Sequence, residues 1–371
     1  FCFLCSEKLT KNELLISTMV EHKVALVELG GSHDECMLSQ LIALKRSGSH
    51  VTLVAFQELI DRNPFWEPYV DQYHVLEFPK TAIGDFLLMK KLNLFFQKQS
   101  INKVILNTAQ GGHVRNLCIT SSRKIEFIGI VHTLRKFEGS FTQKIIHRKI
   151  KKYLVLNDFF LERIKAPKNC RLASFYPLRF PDFPSQELQK SAGEKWITLI
   201  GGVENRRKDL TGSLALMKAT EDQNIKYIFL GKSDPHKEEV QQFRELLKKN
   251  ALMNKVILFE DFVSPALFDA YLKQTDLIWP MVHPATPSAQ EYFRNQISGA
   301  INVAFAYKIP LLIHSAYTTL WKDLNTSSPY TISSFQEDLK TALLEGPDRK
   351  KKLQKNPKFD PNFQEERYIE F

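Results

Sequence analysis

The chain has 371 residues, of which 43% are hydrophobic and 25% are charged, so it is long enough for two buried cores and too apolar to be disordered. Its longest apolar runs have the length of strands, and none approaches the roughly 18 residues that a membrane-spanning helix needs. The formal net charge is +10, and residues 1–190 hold 27 Lys and Arg against 18 Asp and Glu, whereas the remainder holds 24 against 23. The first half is therefore expected to meet an anionic surface or substrate.

The five cysteines are odd in number and scattered, which favours a reducing compartment and predicts a cytoplasmic protein. Cys2 and Cys5 have metal-like spacing, but no second pair accompanies them, so we interpret the pair as incidental. Because the chain opens at Phe1, we expect residues 1–22 to be the remnant of a targeting segment or an extension.

Apolar runs of strand length alternate with helix-period segments through the first half of the chain, the pattern of a mostly parallel sheet. The predicted strands are Lys23–Leu29, His50–Phe56, Tyr73–Phe78, Lys103–Thr108, Glu126–His132, Tyr153–Asn157 and Leu172–Tyr176, and the predicted helices are Asp34–Ser47, Asp85–Lys98 and Phe141–Lys152.

The second half repeats the alternation after a linker rich in proline and polar residues, Pro177–Glu194. The predicted strands are Trp196–Ile200, Tyr227–Leu230, Val256–Phe259, Asp276–Pro280 and Pro310–His314, and the predicted helices are Asp209–Thr220, Pro235–Lys249, Pro265–Lys273, Ser298–Tyr307 and Phe335–Glu345. We predict an α/β protein with two doubly wound, Rossmann-like domains that face each other across a cleft. Their predicted bounds are residues 1–184 and 185–345, and residues 346–371 form a tail that packs back on the first domain.

Two glycine-rich junctions follow strands, Gly30-Gly31 in the first half and Gly201-Gly202 in the second. Ligands of doubly wound sheets bind beyond the carboxyl ends of strands, so the loops there are the candidate sites. Arg206, Arg207 and Lys208 precede a predicted helix start, where free backbone amides and the helix dipole favour an anion. Ser298–Ala300 open a second helix with small residues, which let a backbone approach a diphosphate closely.

In the first half, His132 ends the apolar strand Ile128–His132 and is expected at the rim of the cleft, with Arg135 and Lys136 behind it. His33 and His113 follow other strands and are further candidates. A core or surface histidine remains the alternative for each of the three.

Several activities lack their sequence patterns. Neither glycine junction has the complete G-x-G-x-x-G pattern of a dinucleotide site, and no phosphate-binding P-loop or serine-nucleophile elbow occurs. We find no Asp-x-Asp pair and no His/Cys ligand cluster, so no metal is predicted. Aromatic residues are not interleaved with the cations, so we predict no nucleic-acid partner.

A basic stretch around the predicted helix Phe141–Lys152 raises a membrane hypothesis. Apolar residues of this segment would face the core, and five cations would face outward: Lys144, Arg148, Lys149, Lys151 and Lys152. Such a face is expected either to be an ordinary solvated surface or to contact an anionic membrane, peripherally at the inner face of the cell membrane.

At these residues the chain resembles the GT-B glycosyltransferases, specifically the retaining, family 4-like enzymes (glycosyl transferases group 1) that use nucleotide-sugar donors. The turn from Gly201-Gly202 to Lys208 is similar to their donor-diphosphate turn, and Ala304–Ile313 is similar to their helix–strand unit. His132 falls where these enzymes have a strand-ending histidine that lines the sugar site, and Gly30-Gly31 matches their first-domain glycine loop.

The resemblance implies a metal-independent, retaining transfer from a UDP- or GDP-sugar to a glycan or lipid-linked acceptor, in cell-surface polysaccharide or glycoconjugate synthesis, with no other cofactor. It implies catalytic roles for His132, Arg206 and Lys208. It implies donor contacts from Gly202, Arg206, Lys208, Val263, Glu291, Ser298, Gly299 and Ala300, and acceptor contacts from Gly30, Gly31, Ser32 and His113.

The chain also departs from that pattern. The glutamate pair of the family would fall on Gln296 and Val303, so the carboxylate that usually holds the donor ribose is absent. An extra segment, His283–Asn295, supplies Glu291 and Tyr292 as replacements. Two alternatives therefore stay open: a nucleotide-sugar epimerase of the same fold, and a degenerate GT-B module that binds without catalysing.

Overall fold

The computed structural model of the protein describes residues 22–371, so Cys2, Cys5 and nearly all of the expected N-terminal extension lie outside the described residues. The strands of the first half are β1 (Lys23–Val27), β2 (His50–Ala55), β3 (Gln72–Val75), β4 (Lys103–Leu106), β5 (Glu126–Val131), β6 (Lys152–Val155) and β7 (Arg171–Ser174). Its helices are α1 (Met37–Arg46), α2 (Gln57–Asp61), α3 (Ala82–Lys98), α4 (Gly112–Thr120), α5 (Leu134–Gly139), α6 (Phe141–Lys149) and α7 (Asp158–Arg163).

The second half contains the strands β8 (Lys195–Ile200), β9 (Ile225–Lys232), β10 (Val256–Phe259), β11 (Leu277–Ile278), β12 (Leu312–His314) and β13 (Ser328–Tyr330). Its helices are α8 (Leu210–Lys218), α9 (Glu238–Lys249), α10 (Pro265–Gln274), α11 (Ala289–Arg294), α12 (Gly299–Tyr307), α13 (Ser315–Thr318), α14 (Phe335–Lys355) and α15 (Pro361–Glu370).

Both main sheets are parallel, and helices cover them because their strands are apolar on both faces. Alternate residues of β1 belong to different cores: Ala25 and Val27 pack with residues of α3 and α4, whereas Val24 and Leu26 pack with residues of α1. Helices α3, α4 and α6 therefore form one layer on the first sheet, and α1 lies in the opposite layer. This arrangement confirms the predicted α/β class with doubly wound sheets.

Each sheet has a point where the strand order reverses. Across the described residues the first sheet runs β3-β2-β1-β4-β5-β6-β7, and the second runs β10-β9-β8-β11. The reversals fall between β1 and β4 and between β8 and β11. Loops leave such neighbouring strands in opposite directions and open a crevice at the carboxyl edge of the sheet, which is where ligands of doubly wound folds bind.

The C-terminal part of the chain contains the two helices α14 and α15. Helix α14 continues to Lys355, so the predicted boundary at residue 346 falls inside a helix, and Pro347 is accommodated within it. Helix α15 returns to the first half and packs beside α1, where Glu365 accepts from Arg46 and from Arg179, and Tyr368 donates to Gln40.

The predicted basic helix is shorter than expected. Helix α6 ends at Lys149 because residues from Lys152 onward pair with β5 as strand β6. Phe141 does not face the core; it is 78% exposed. Of the five cations, Lys149 donates to the Ser122 carbonyl and Lys152 pairs with Glu126 at 2.9 Å, so the predicted five-cation face is wrong. Those that remain exposed are Lys144, Arg148 and Lys151.

Candidate functional site

A buried carboxylate lies where the order of the first sheet reverses. Glu28 follows β1 and is 1% exposed; its Oε2 accepts from Asn107 Nδ2 at 2.7 Å and from Thr108 Oγ1 at 2.8 Å. Its Oε1 accepts from the Gly30 amide at 2.6 Å. Burial raises the pKa of Glu28, and these hydrogen bonds partly oppose the rise. Glu28 therefore holds the glycine loop after β1 against the loop after β4.

Sequence reasoning missed Glu28 as a member of the site, and it placed Asn107 only in a loop that follows a strand, without a role. The available signal was a single acidic residue at the end of the apolar run Val24–Leu29, next to a glycine loop. An acid in such a run is rarely buried without partners, so it predicts a polar network at the end of the strand.

His132 belongs to the same network. It follows β5, and its Nε2 lies 2.6 Å from the carbonyl oxygen of Asn107. A carbonyl only accepts, so Nε2 carries the hydrogen and Nδ1 keeps its lone pair. Burial, together with the nearby charge of His33, holds the pKa of His132 well below its ordinary value. His132 is therefore a neutral imidazole with an acceptor nitrogen left for a ligand.

The His33 ring stacks on the His132 ring with centroids 3.9 Å apart and planes inclined by 23°. Although burial lowers the pKa of His33, the hydrogen bond and charge of Glu35 outweigh it, and the pKa of His33 is raised. The pair thus combines a histidine that protonates readily with one that stays neutral. Their pKa values differ because burial dominates at His132, whereas the hydrogen bond and charge of Glu35 dominate at His33.

The residues expected to contact an acceptor fall in two places. Gly30, Gly31 and Ser32 lie in the loop beside His33, and Gly31 and Ser32 are exposed. His113 lies at the start of α4, where its Nδ1 is 2.5 Å from Asp85 Oδ1 and its ring contacts Phe78. The structure therefore brings the glycine loop to the His132 network and ties His113 to α3 instead.

The glycine turn of the second half has a steric reason for its glycines. Gly201 has a φ of 88°, and a Cβ on Gly202 would lie 1.8 Å from the carbonyl oxygen of Lys232 at the end of β9. The Val203 amide then donates to Ser233 Oγ at 3.0 Å. Contact between the ends of β8 and β9 thus requires Gly202, whether or not a phosphate binds above it.

Replacing Gly202 by Ala is expected to lower the free energy of unfolding by about 3 kcal/mol, because the clash is with backbone and the strand ends must separate. Urea unfolding measures this. Gly346→Ala is the control, since a Cβ there meets nothing within 4 Å and the residue is helical. Equal stability of Gly202→Ala and the unsubstituted protein would show that the two strand ends can yield.

The basic turn after this glycine pair has two exposed cations and one buried cation. Arg206 and Arg207 are exposed and pair with Glu204 at 3.2 and 3.4 Å. Lys208 is 7% exposed, and its Nζ donates to the Gly202 carbonyl at 2.8 Å. Burial lowers the pKa of Lys208 to about 8. Lys208 is thus the cation held inside the turn, with N–H groups left for another acceptor.

The start of α12 is the second anion-binding feature of this half. Ser298 occupies the cap position without a side-chain hydrogen bond to the helix, and Gly299 is exposed with open space where a Cβ would stand. The first amides of α12 therefore receive no side-chain cap from Ser298 and point beyond the carboxyl edge of the sheet. Because α12 joins β11 to the parallel segment at Leu311, its first residues lie at the same carboxyl edge as the turn that holds Lys208, although α12 and α8 pack on opposite faces of the sheet.

A buried histidine is hydrogen-bonded to Asp209, the residue that follows this turn. His283 is 4% exposed; the Ala285 amide donates to its Nδ1 at 3.2 Å, so its Nε2 donates to Asp209 Oδ2 at 2.9 Å. Asp209 also caps α8 through the Gly212 amide. The segment after β11 is thus fastened to the residue that follows Lys208.

The other predicted donor residues differ in their surroundings. Val263 is 6% exposed and packs in the core, so only its backbone could meet a ligand, whereas neighbouring Phe262 is 72% exposed. Glu291 lies on α11 and faces the first half of the chain: its Oε1 is 3.3 Å from Arg135 Nη1, and its Oε2 accepts from Asn295 Nδ2 at 3.0 Å.

Contacts from α11 close one side of the crevice. The Leu134 amide donates to the Asn295 carbonyl at 3.1 Å, and Arg163 Nη1 donates to the Phe293 carbonyl at 2.9 Å. Both donors belong to the first half and both acceptors to the segment 293–295. The carboxyl edges of the two sheets therefore face each other, with His132 on one side and Lys208 on the other.

The described part of the chain has neither a cluster of metal ligands nor a membrane-spanning helix. Between residues 22 and 371, no group of three His, Cys, Asp or Glu side chains is placed to hold a metal ion. No helix in that part of the chain is both long and apolar enough to cross a membrane.

No family model and no curated protein sequence matches this chain. Solved structures do. A glycosyltransferase from Rickettsia africae matches with a TM-score of 0.70 at 11% identity, covering 95% of this chain and 97% of that one. HepE from Anabaena in complex with UDP matches with a TM-score of 0.64 at 11% identity, covering 94% of this chain and 98% of that one. A putative UDP-N-acetylglucosamine 2-epimerase from Listeria monocytogenes matches with a TM-score of 0.62 at 13% identity, covering 94% of this chain and 95% of that one. The chain thus has the GT-B fold along nearly its whole length, as predicted.

Proposed function

We propose that this protein is a glycosyltransferase that moves a sugar from a UDP- or GDP-sugar to a glycan or lipid-linked acceptor, in cell-surface polysaccharide or glycoconjugate synthesis at the cytoplasmic side of the membrane. The observation that carries the proposal is that the buried Lys208 ammonium and the uncapped start of α12 both lie at the carboxyl edge of the second sheet. A cation beside free helix amides is suited to a diphosphate. The GT-B fold and the UDP complex of HepE support this assignment.

The two halves of the site take different tasks in this proposal. Residues 185–345 hold the donor: Lys208 and the amides of Ser298–Ala300 stabilise the diphosphate as it leaves, and Arg206 swings from Glu204 to assist. Residues 1–184 hold the acceptor at Gly30–Ser32. The neutral His132 accepts a hydrogen bond at Nδ1 from a sugar or acceptor hydroxyl. Transfer proceeds with retention and needs no metal.

Isothermal titration with UDP and GDP tests the donor assignment directly. Binding of one nucleoside diphosphate, followed by turnover of a matching sugar in a nucleotide-sugar panel, is the expected result. Gln296 and Val303 stand where the resemblance places the ribose-binding carboxylates, so the ribose contact must come from elsewhere. Absence of binding to both nucleotides would instead support a non-catalytic module of the same fold.

The Listeria neighbour favours one alternative enzyme, a nucleotide-sugar epimerase. An epimerase converts the UDP-sugar by itself, whereas a transferase releases UDP only in proportion to sugar transferred or hydrolysed. Incubation of the protein with UDP-sugars and no acceptor, followed by chromatography of the sugar nucleotides, separates the two. Appearance of an epimeric nucleotide sugar would replace the transferase proposal.

A further inference from the structure

The helix layer formed by α3, α4 and α6 exposes large apolar side chains on its outer surface. Ile83 is 77% exposed, Leu87 51% and Leu94 55%, and these three lie along one side of α3. Two neighbouring helices add Ile119, 52% exposed on α4, and Phe141, 78% exposed on α6. Single exposed apolar residues are ordinary, but a group of this size on adjacent helices marks an interaction surface.

The same layer is strongly basic. Its three helices carry seven Lys and Arg residues, namely Lys90, Lys91, Lys98, Arg115, Lys144, Arg148 and Lys149. They carry one acidic residue, Asp85, which is buried and hydrogen-bonded to His113 and Asn116 at 2.5 Å each. Lys90 and Lys91 lie between Leu87 and Leu94, so charge and apolar surface alternate along the outer side of α3.

We propose that this surface, which we call the α3 face, binds the headgroup region of an anionic lipid bilayer. Exposed aliphatic side chains interspersed with lysines are what an interfacial helix uses: the apolar groups enter the boundary of the acyl chains and the ammonium groups meet lipid phosphates. A second copy of this chain fits poorly, because two α3 faces would bring their lysines together without acids to pair them. The α3 face replaces the five-cation face that the sequence predicted on α6.

The placement of the α3 face relates it to the crevice. Helix α3 follows β3, so its first turns, with Ile83 and Leu87, lie at the carboxyl edge of the first sheet, and Phe141 opens α6 at the same edge. A bilayer on this face lies beside the mouth of the crevice and shortens the path of a lipid-linked acceptor. This last consequence rests on the proposed transferase function, whereas bilayer binding does not.

Vesicle co-sedimentation of the full chain tests the α3 face without any donor or acceptor. We expect the protein to bind vesicles of phosphatidylcholine and phosphatidylglycerol in equal parts, to bind phosphatidylcholine alone at least about tenfold more weakly, and to lose binding as salt rises. The variant Ile83→Ser/Leu87→Ser/Leu94→Ser should weaken binding by a further factor of about ten or more. Lys90→Glu/Lys91→Glu should remove the preference for the anionic vesicles.

Control variants carry changes of the same kinds elsewhere on the surface. Leu344→Ser removes an 82% exposed leucine from α14, and Lys248→Glu/Lys249→Glu reverses exposed charges on α9 of the second sheet. Both controls should bind vesicles like the unsubstituted protein, and thermal melts should show that all variants are folded. The proposal is overturned if the full chain ignores anionic vesicles, if the controls lose as much binding as the α3 variants, or if light scattering shows a dimer that the leucine substitutions dissociate.

Discussion

Lys208→Met is expected to abolish UDP or GDP binding and at the same time to raise the free energy of unfolding of the ligand-free protein. The side chain is 7% exposed and its pKa is lowered to about 8 from 10.5 because burial disfavours the ammonium. At about 1.4 kcal/mol per pKa unit, keeping the charge costs roughly 3 kcal/mol, and the lost hydrogen bond to the Gly202 carbonyl offsets about 1 of it. Methionine therefore stabilises by about 2 kcal/mol while removing the cation that a diphosphate needs.

The stabilisation by Lys208→Met has a defined pH dependence. Between pH 8 and 10.5 the unfolded chain keeps the proton that the folded chain releases, so the stability of the unsubstituted protein rises with pH in this window. Below pH 8 Lys208 is protonated in both the folded and the unfolded state, so the full cost of burying its ammonium lowers the free energy of unfolding. The gap between variant and parent should thus be largest below pH 8 and should close toward pH 10.5, as urea unfolding at several pH values will show.

Lys248→Met on α9 serves as the control for Lys208→Met, because that lysine is exposed and should change neither property. Isothermal titration supplies the binding readout. A Lys208→Met protein that binds UDP as tightly as the parent would remove Lys208 from the proposed donor site. Loss of stability in place of a gain would show that the Lys208 ammonium is better solvated than its burial indicates.

Glu28→Gln is the second substitution with a large expected effect. The carboxylate accepts three hydrogen bonds, from Gly30, Asn107 and Thr108, and an amide must turn its NH2 toward at least one of these donors. Leaving a buried donor unpaired costs about 1–3 kcal/mol, so we expect a loss of about 2 kcal/mol in the free energy of unfolding. The transfer rate should fall at least about tenfold, since the Gly30 loop and Asn107 support His132 and a small misplacement suffices.

The control for Glu28→Gln is Glu58→Gln, which changes an exposed carboxylate on α2 in the same half of the chain. It should leave stability within about 0.5 kcal/mol of the parent. Nitrogen NMR of His132 provides a readout beyond stability: the parent should show the neutral ring protonated at Nε2, and Glu28→Gln a shifted or broadened signal. Equal stability and rate in the two variants would mean that Glu28 does not organise the site.

Much of the fold could be predicted because strands buried on both faces leave continuous apolar runs in the sequence. The predicted runs coincide with β1, β2, β5 and β8 to within a few residues. Short helices such as α5 and α7 were missed because six residues show too little period to recognise. Helix α6 was predicted to extend too far because lysines and aliphatic residues occur both at helix ends and in strands. Pairing with β5 places Lys152 and the residues after it in strand β6.

The sequence predicted the glycines and cations of the candidate site, but it did not predict the polar network around Glu28. Lys208 could be found because a basic residue before a helix start has a recognised chemistry, whereas Arg206 and Arg207 look equivalent to it in sequence and differ in burial. His113 was grouped with the acceptor residues because it also follows a strand, yet Asp85 of α3 holds it. Membrane contact was assigned to α6 because its cations are contiguous, although the exposed apolar side chains lie mainly on α3.

The sequence by itself determined the class of the fold, the position of the two glycine junctions and the basic character of the first half, because each depends on the local order of residues. Tertiary structure decided which of those residues work together. Glu28, Asn107 and His132 meet because β1, β4 and β5 lie side by side in a sheet whose order differs from the order of the chain. Burial lowers the pKa of Lys208 and keeps His132 neutral, and burial is a property of the packed chain that no single segment contains.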